Sequence, residues 1–172
     1  MTAAQRGGAR ILAGIMLCCL LAACGFALRG TTELPFPSIN INVPANSQFG
    51  AQLRRQLHAT SPTTRIVEDP AAAAARLQIL EQARDRTEVA LNAQGRVQEY
   101  ELTLRITFQL LDARGEALVP PNTLAATRTL PYDDNVAQAK ESEAQALYLS
   151  MQSDLVQRIL RRLASADTRA AA

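Results

Sequence analysis

The sequence predicts an α+β fold: a two-layer sandwich in which two helices pack on one face of a mostly antiparallel four-stranded sheet. Three observations predict it. Tyr100, Leu102, Leu104, Ile106, Phe108 and Leu110 alternate with Glu99, Glu101, Thr103, Arg105, Thr107 and Gln109, giving one strand with an apolar face and a polar one. Phe49, Leu53 and Leu57 recur every four residues, and Ala144, Leu147, Tyr148, Met151, Leu155, Ile159 and Leu163 form a longer stripe, the pattern of two amphipathic helices. The order strand, helix, strands, helix then places the helices on one side of an antiparallel sheet.

The chain opens with a segment that is not part of that fold. Arg6 and Arg10 precede the apolar run Ile11–Leu21, and Ala22 and Ala23 supply the small residues a signal peptidase accepts just ahead of Cys24. A run this short does not span a bilayer, which needs about 20 apolar residues. Residues 1–23 therefore read as a lipoprotein export signal, and Cys24 as the lipid-attachment residue of the mature chain. A thioether-linked diacylglyceryl group plus an acylated amine exceeds the two lipid signals that stable anchoring requires. Position 25 is glycine rather than the aspartate that commonly retains such proteins at the inner membrane, so the expected address is the outer membrane of a Gram-negative cell.

Residues 24–38, with Pro35 and Pro37, read as a lipidated N-terminus and tether. A single domain over 39–164 follows. Ile39, Ile41 and Val43 mark a short first strand that Pro44 stops. Asn46 or Ser47 caps the first helix, and Pro62 limits its length. Ile66 and Val67 offer a second strand, but Asp69-Pro70 and the alanines after it read better as a capped helical turn. From Leu77 to Leu91 the chain reads as a long strand whose far end is exposed, and Asn92–Gly95 as a hairpin loop. The strand through Leu104 comes next, then a turn at Asp112–Gly115. Pro120-Pro121 interrupts the chain before a last strand through Leu124, Ala126, Arg128, Leu130 and Tyr132. Asp133 or Asp134 caps the final helix, and 165–172 reads as a flexible tail.

Composition narrows the functional classes. The chain's 18 basic residues lose Arg6 and Arg10 with the signal, leaving 16 against 16 acidic. A balanced charge argues against general nucleic-acid binding. The signal also removes Cys18 and Cys19 and lipid consumes Cys24, so the mature chain enters an oxidising compartment with no disulfide, and packing alone must hold its roughly 150 residues. Catalysis finds little material: there is one histidine, His58, placed late in the first helix where it suits the dipole, and no GxSxG, HExxH or P-loop pattern. Asp133 and Asp134 read as helix caps. The expectation is a binding or assembly protein, not an enzyme, with no metal and no cofactor.

Four further stretches carry a resemblance: CGFALRG at the lipidated cysteine, GRVQEYEL at the hairpin, Arg128 in the strand before the last helix, and AQAKESEA opening that helix. In their order and spacing they resemble the LptE family, outer-membrane lipopolysaccharide-assembly lipoproteins that partner the transport barrel LptD. The resemblance implies a protein that plugs the LptD lumen, assists the folding of the barrel and contacts lipopolysaccharide in transit. A sheet with a polar outer face and a chain of zero net charge suit the polar interior of such a barrel, and suit plain solvent equally.

The resemblance also selects candidate lipopolysaccharide contacts, which must be basic because the ligand carries phosphates. Lys140, the one lysine, matches the lysine at the start of the family's last helix and lies on the side of Leu147 and Met151, from where it can snorkel to the domain's end. Its plainer reading is a solvated charge beside Glu141 and Glu143. Some relatives carry a basic residue just before the hairpin turn. This chain has Asn92 and Ala93 there and Arg96 after Gly95, so Arg96 is the candidate by proximity. Arg128 is the third, against a plainer role packing along the sheet or pairing with Glu99 or Glu101. Arg29 is expected near the membrane or the barrel rim. The alternative to the whole reading is a lipid-anchored scaffold of another envelope complex without a lipid ligand. A small lipid-anchored hydrolase dependent on His58 is a third.

Overall fold

In a computed structural model, which describes residues 33–166, the chain forms an α+β domain of two helices and a five-stranded mixed sheet. The strands are β1 (Ser38–Ile41), β2 (Arg65–Ile66), β3 (Ala75–Leu91), β4 (Val97–Asp112) and β5 (Ala117–Pro131), and the helices α1 (Gln48–Thr60) and α2 (Ala137–Ala164). The sheet order is β2-β1-β3-β4-β5. β3, β4 and β5 form the expected antiparallel meander, whereas β1 runs parallel to both β2 and β3. The sheet therefore has five strands rather than four and is mixed. The fifth is β2, only two residues long, too short for an alternation to show. Both readings of its neighbourhood hold: Arg65–Ile66 is the strand, and Pro70–Ala72 is a 3-10 turn capped by the Asp69 side chain.

The core is the even-numbered face of β4. Leu102, Leu104, Ile106, Phe108 and Leu110 are all fully buried, against Phe49, Leu53 and Leu57 of α1 and Met151, Leu155, Ile159 and Leu163 of α2. The two helices lie side by side, joined by Gln152 Nε2 donating to Gln52 Oε1 at 2.6 Å and Gln56 Nε2 to Ser153 Oγ at 3.2 Å. Packing starts ahead of Ile39. Leu34 and Phe36 are buried in the same core, with the Leu34 N–H donating to Ser61 Oγ, so the tether expected over 24–38 gives way to core structure by Leu34. The signal segment and Cys24 lie outside the described residues, as does the tail beyond residue 166.

Pro120 and Pro121 do not interrupt the last strand. They lie within β5, an edge strand, where the register shifts between Phe108 and Leu110 of its partner. A bulge on an edge tolerates residues that cannot donate to the ladder. Asp133 caps a 3-10 turn over Asp134–Val136 by accepting from the Asn135 N–H, and α2 proper starts at Ala137 without a side-chain cap.

The two hairpins of the meander share one construction. Asn92 Oδ1 accepts from the Gln94 and Arg96 N–H groups, and Asp112 Oδ1 accepts from those of Arg114 and Glu116. Each loop closes on a glycine in the left-handed region, Gly95 at φ 75° and Gly115 at φ 93°. A Cβ at Gly95 would meet nothing within 4 Å, so only backbone strain opposes a side chain there. Gly95→Ala is therefore expected to cost about 1–2 kcal/mol, the left-handed penalty for an L-residue, measured by denaturant unfolding. Gly95→Asn should cost less.

Candidate functional site

β1 covers only the first residues of β3, pairing no further than Leu77. Beyond Ile79 the strand β3 runs out of core. Its distal half is largely exposed, with Val89 and Leu91 more than half so. This distal end, where β3, the start of β4, the end of β5 and the start of α2 meet, gathers the chain's three tyrosines and several of its charges.

Strand register explains how. A bulge between Ile79 and Glu81 shifts the alternation, so that Arg84 sits opposite Leu104 and Arg86 opposite Leu102, on the helix side of the sheet. Tyr100 and Tyr132 meet edge to face there, with centroids 5.0 Å apart. The Arg86 guanidinium lies 3.9 Å from the Tyr100 ring centroid and 5.4 Å from that of Tyr132, and its Nη1 donates to Glu141 Oε2 of α2 at 3.1 Å. Arg84 lies 5.2 Å from the Tyr148 ring centroid. The Tyr148 hydroxyl in turn donates to the Asp85 carbonyl at 2.6 Å. Burial pushes the Tyr148 phenol above its ordinary 10.0, with the neighbouring Arg84 and Arg86 opposing that shift.

The residues expected from sequence are not brought together. Lys140 is at this distal end, four-fifths covered, with its Nζ donating to Glu143 Oε2 at 2.8 Å. That is the local helix-start pairing. Arg96 is exposed on the β3–β4 hairpin, and among the described residues no ion pair involves its side chain. Arg128 pairs with neither Glu99 nor Glu101. It sits opposite Leu102, so its side chain takes the helix side and its Nη2 donates to Asp154 of α2 at 2.8 Å, whereas Glu101 faces away. Asp154 is fourteen residues along α2 from Lys140, about 21 Å at 1.5 Å per residue. Arg128 thus ties α2 to the edge of the sheet.

Sequence reasoning passed over Arg84 and Arg86, because the polar stretch after Ile79 carries no visible alternation. The i, i+2 spacing of two arginines on a strand was the available signal. The polar face of the sheet is held by its own ladder: Thr107 to Thr123 at 2.9 Å, Thr103 to Thr127 at 3.4 Å, Gln109 to Gln78 at 2.7 Å, and an Arg105–Asp85 ion pair at 2.8 Å. At the other end of the sheet, a cleft of about 340 Å³ lies between Phe36, Pro37, Asp112 and Leu118. Asp112 Oδ1 is committed to the hairpin, and Arg114 is the cleft's one basic side chain. No group of His, Asp and Glu suited to a metal occurs among the described residues, and His58 is exposed in the last turn of α1.

The family model described as "LptE: Lipopolysaccharide-assembly" matches residues 36–163, nearly the whole folded region. The chain belongs to the LptE family. It is 30% identical over 146 residues to the LPS-assembly lipoprotein LptE of Yersinia enterocolitica, covering 83% of this chain and 69% of that one. To the LptE of Photorhabdus laumondii it is 27% identical over 145 residues, covering 83% and 78%. Among solved structures it is similar to lipoprotein B of Nitrosomonas europaea, with a TM-score of 0.70 and 35% identity over 82% of this chain and 91% of that one. The family match spans both the core and the distal cluster.

Tyr148→Phe should lower stability by about 1 kcal/mol at neutral pH, the net worth of one hydrogen bond. Because the folded state raises this pKa, the contribution is full below the phenol's unfolded value near 10 and falls away as pH rises past it. Wild type should lose stability on the alkaline side that Tyr148→Phe does not, as read by unfolding titrations from pH 8 to 11.

Proposed function

We propose that this chain is a lipid-anchored outer-membrane protein that seats inside the LptD barrel, assists its assembly and contacts lipopolysaccharide on its way to the outer leaflet. The observation that carries the proposal is the family match over residues 36–163. In this reading residues 1–23 are removed, Cys24 carries the acyl chains, and the domain from Leu34 to Ala164 is the plug. No helix among the described residues is long and apolar enough to cross a membrane.

The physical features support the reading. The polar face of the sheet carries threonine and glutamine pairs and one ion pair, a surface compatible with a water-lined barrel wall. The role is binding rather than catalysis. Lys140, next in sequence to Glu141 of the Arg86–Glu141 pair, is the proposed ligand contact, and Arg96, exposed on the hairpin, a proposed contact to a partner. Arg128 serves α2 docking, and its removal should cost no more than about 1 kcal/mol as an exposed pair.

The test is a photo-crosslinker placed at Lys140 or Arg96 in the full chain, in its own envelope. Capture of a large β-barrel protein at one site, or of lipopolysaccharide at Lys140, is the expected result. A folded, outer-membrane-located chain that captures neither is the result expected of a scaffold for another complex.

A further inference from the structure

The arginine–tyrosine cluster is more elaborate than the docking of α2 requires. All three tyrosines of a chain that is only 4% aromatic serve two neighbouring arginines. Arg84 and Arg86 are two residues apart on one strand, so they stand about 7 Å apart on the same face. Each lies against a tyrosine ring, 5.2 Å from Tyr148 for Arg84 and 3.9 Å from Tyr100 for Arg86, contacts that restrict the side chain before any ligand arrives and remove part of the ordering cost of binding. A guanidinium has five N–H donors. Among the described residues Glu141 accepts from one of the Arg86 donors, and the Arg86 side chain is 31% exposed. The remaining edge matches the fork geometry that binds phosphate with two parallel hydrogen bonds.

We propose that Arg84 and Arg86, held over Tyr148, Tyr100 and Tyr132, form a recognition site for a phosphorylated lipid headgroup, and that the Glu141 carboxylate sits where one phosphate oxygen would be accepted. The inference rests on the lipopolysaccharide reading and adds a regulation to it. Glu141 is more than half exposed, and an exposed ion pair of this kind biases an equilibrium about fivefold at most, so a dianionic phosphate displaces it. Lys140 is occupied in the same way by Glu143. The start of α2 therefore supplies two carboxylates as stand-ins for ligand charge, released together when the ligand docks. Val89 and Leu91 further along β3 and Val136 just before α2 are exposed, giving the site an apolar flank that a lipid can use and a free phosphate cannot.

The experiment is a fluorescence titration of the mature full-length chain in detergent with three probes: lipopolysaccharide, the same lipopolysaccharide dephosphorylated at lipid A, and inorganic phosphate. Glu141→Gln should bind intact lipopolysaccharide about two- to fivefold tighter than wild type by removing the competitor. Arg86→Gln should bind it about tenfold weaker, and Arg86→Lys should fall between, keeping the charge but losing the fork. Dephosphorylated lipopolysaccharide should erase these differences. Equal affinity of wild type and Glu141→Gln for the intact lipid overturns the proposal, as does the same ranking on the dephosphorylated form. A matching ranking with inorganic phosphate at similar affinity overturns the lipid assignment. Glu141 is exposed and its substitution does not threaten folding, so it carries the test if Arg86→Gln melts early. Barrel capture by the wild-type chain is read separately, so failure here and failure of the plug reading remain distinguishable.

Discussion

Everything in this domain depends on the burial of one face of β4. Five large apolar side chains, Leu102 to Leu110 at every second position, are wholly removed from water by the two helices and the neighbouring strands. Each contributes on the order of 1.5–3 kcal/mol against an exposed reference, an upper estimate because the unfolded chain is itself partly compact. The folded region has no cysteine, so no covalent link shares the task. The helices are held to the sheet by this face first, and the polar ties at Arg128–Asp154 and Gln152–Gln52 then set their lateral position.

A consequence is polarity along the sheet. β1, β2 and α1 gather at the end where the chain enters from its N-terminal side, while the β3–β4 hairpin extends beyond the core and depends on neighbours for shielding. The long edge of β3 beyond Leu77 is left without a strand partner among the described residues. Such edges invite pairing with other chains unless they are blunted. Here the bulges near Leu80 and Val89, the charges between them and the Tyr148 hydroxyl on the Asp85 carbonyl all serve that purpose. The residues that guard the edge and the residues that gather cations at the distal end are thus partly the same.

The sequence made the strong periodicities legible. The β4 alternation, the α1 and α2 stripes and both hairpins follow from residues a reader can align by eye, because burial on one face enforces period 2 or 3.6 and because Asn92 and Asp112 each precede a glycine by three positions. The fifth strand was not legible, since two residues have no period. Pro120-Pro121 misled because a proline pair argues against a strand unless the strand is known to be an edge, and edge status is a tertiary fact. The site was less legible still. Arg128 drew notice for standing alone, and its partner proved to be Asp154, 26 residues away in sequence, on the side of the sheet that its parity dictates. Arg84 and Arg86 became visible only once the bulge after Ile79 had set which face they occupy.

Membership of the LptE family places this chain in lipopolysaccharide assembly, and the most direct measurement is the amount of that lipid in the outer leaflet when the chain is depleted from its own envelope. Surface lipopolysaccharide should fall as the chain disappears and recover when it is restored from a plasmid. Unchanged surface lipopolysaccharide in cells shown to lack the chain would contradict the account.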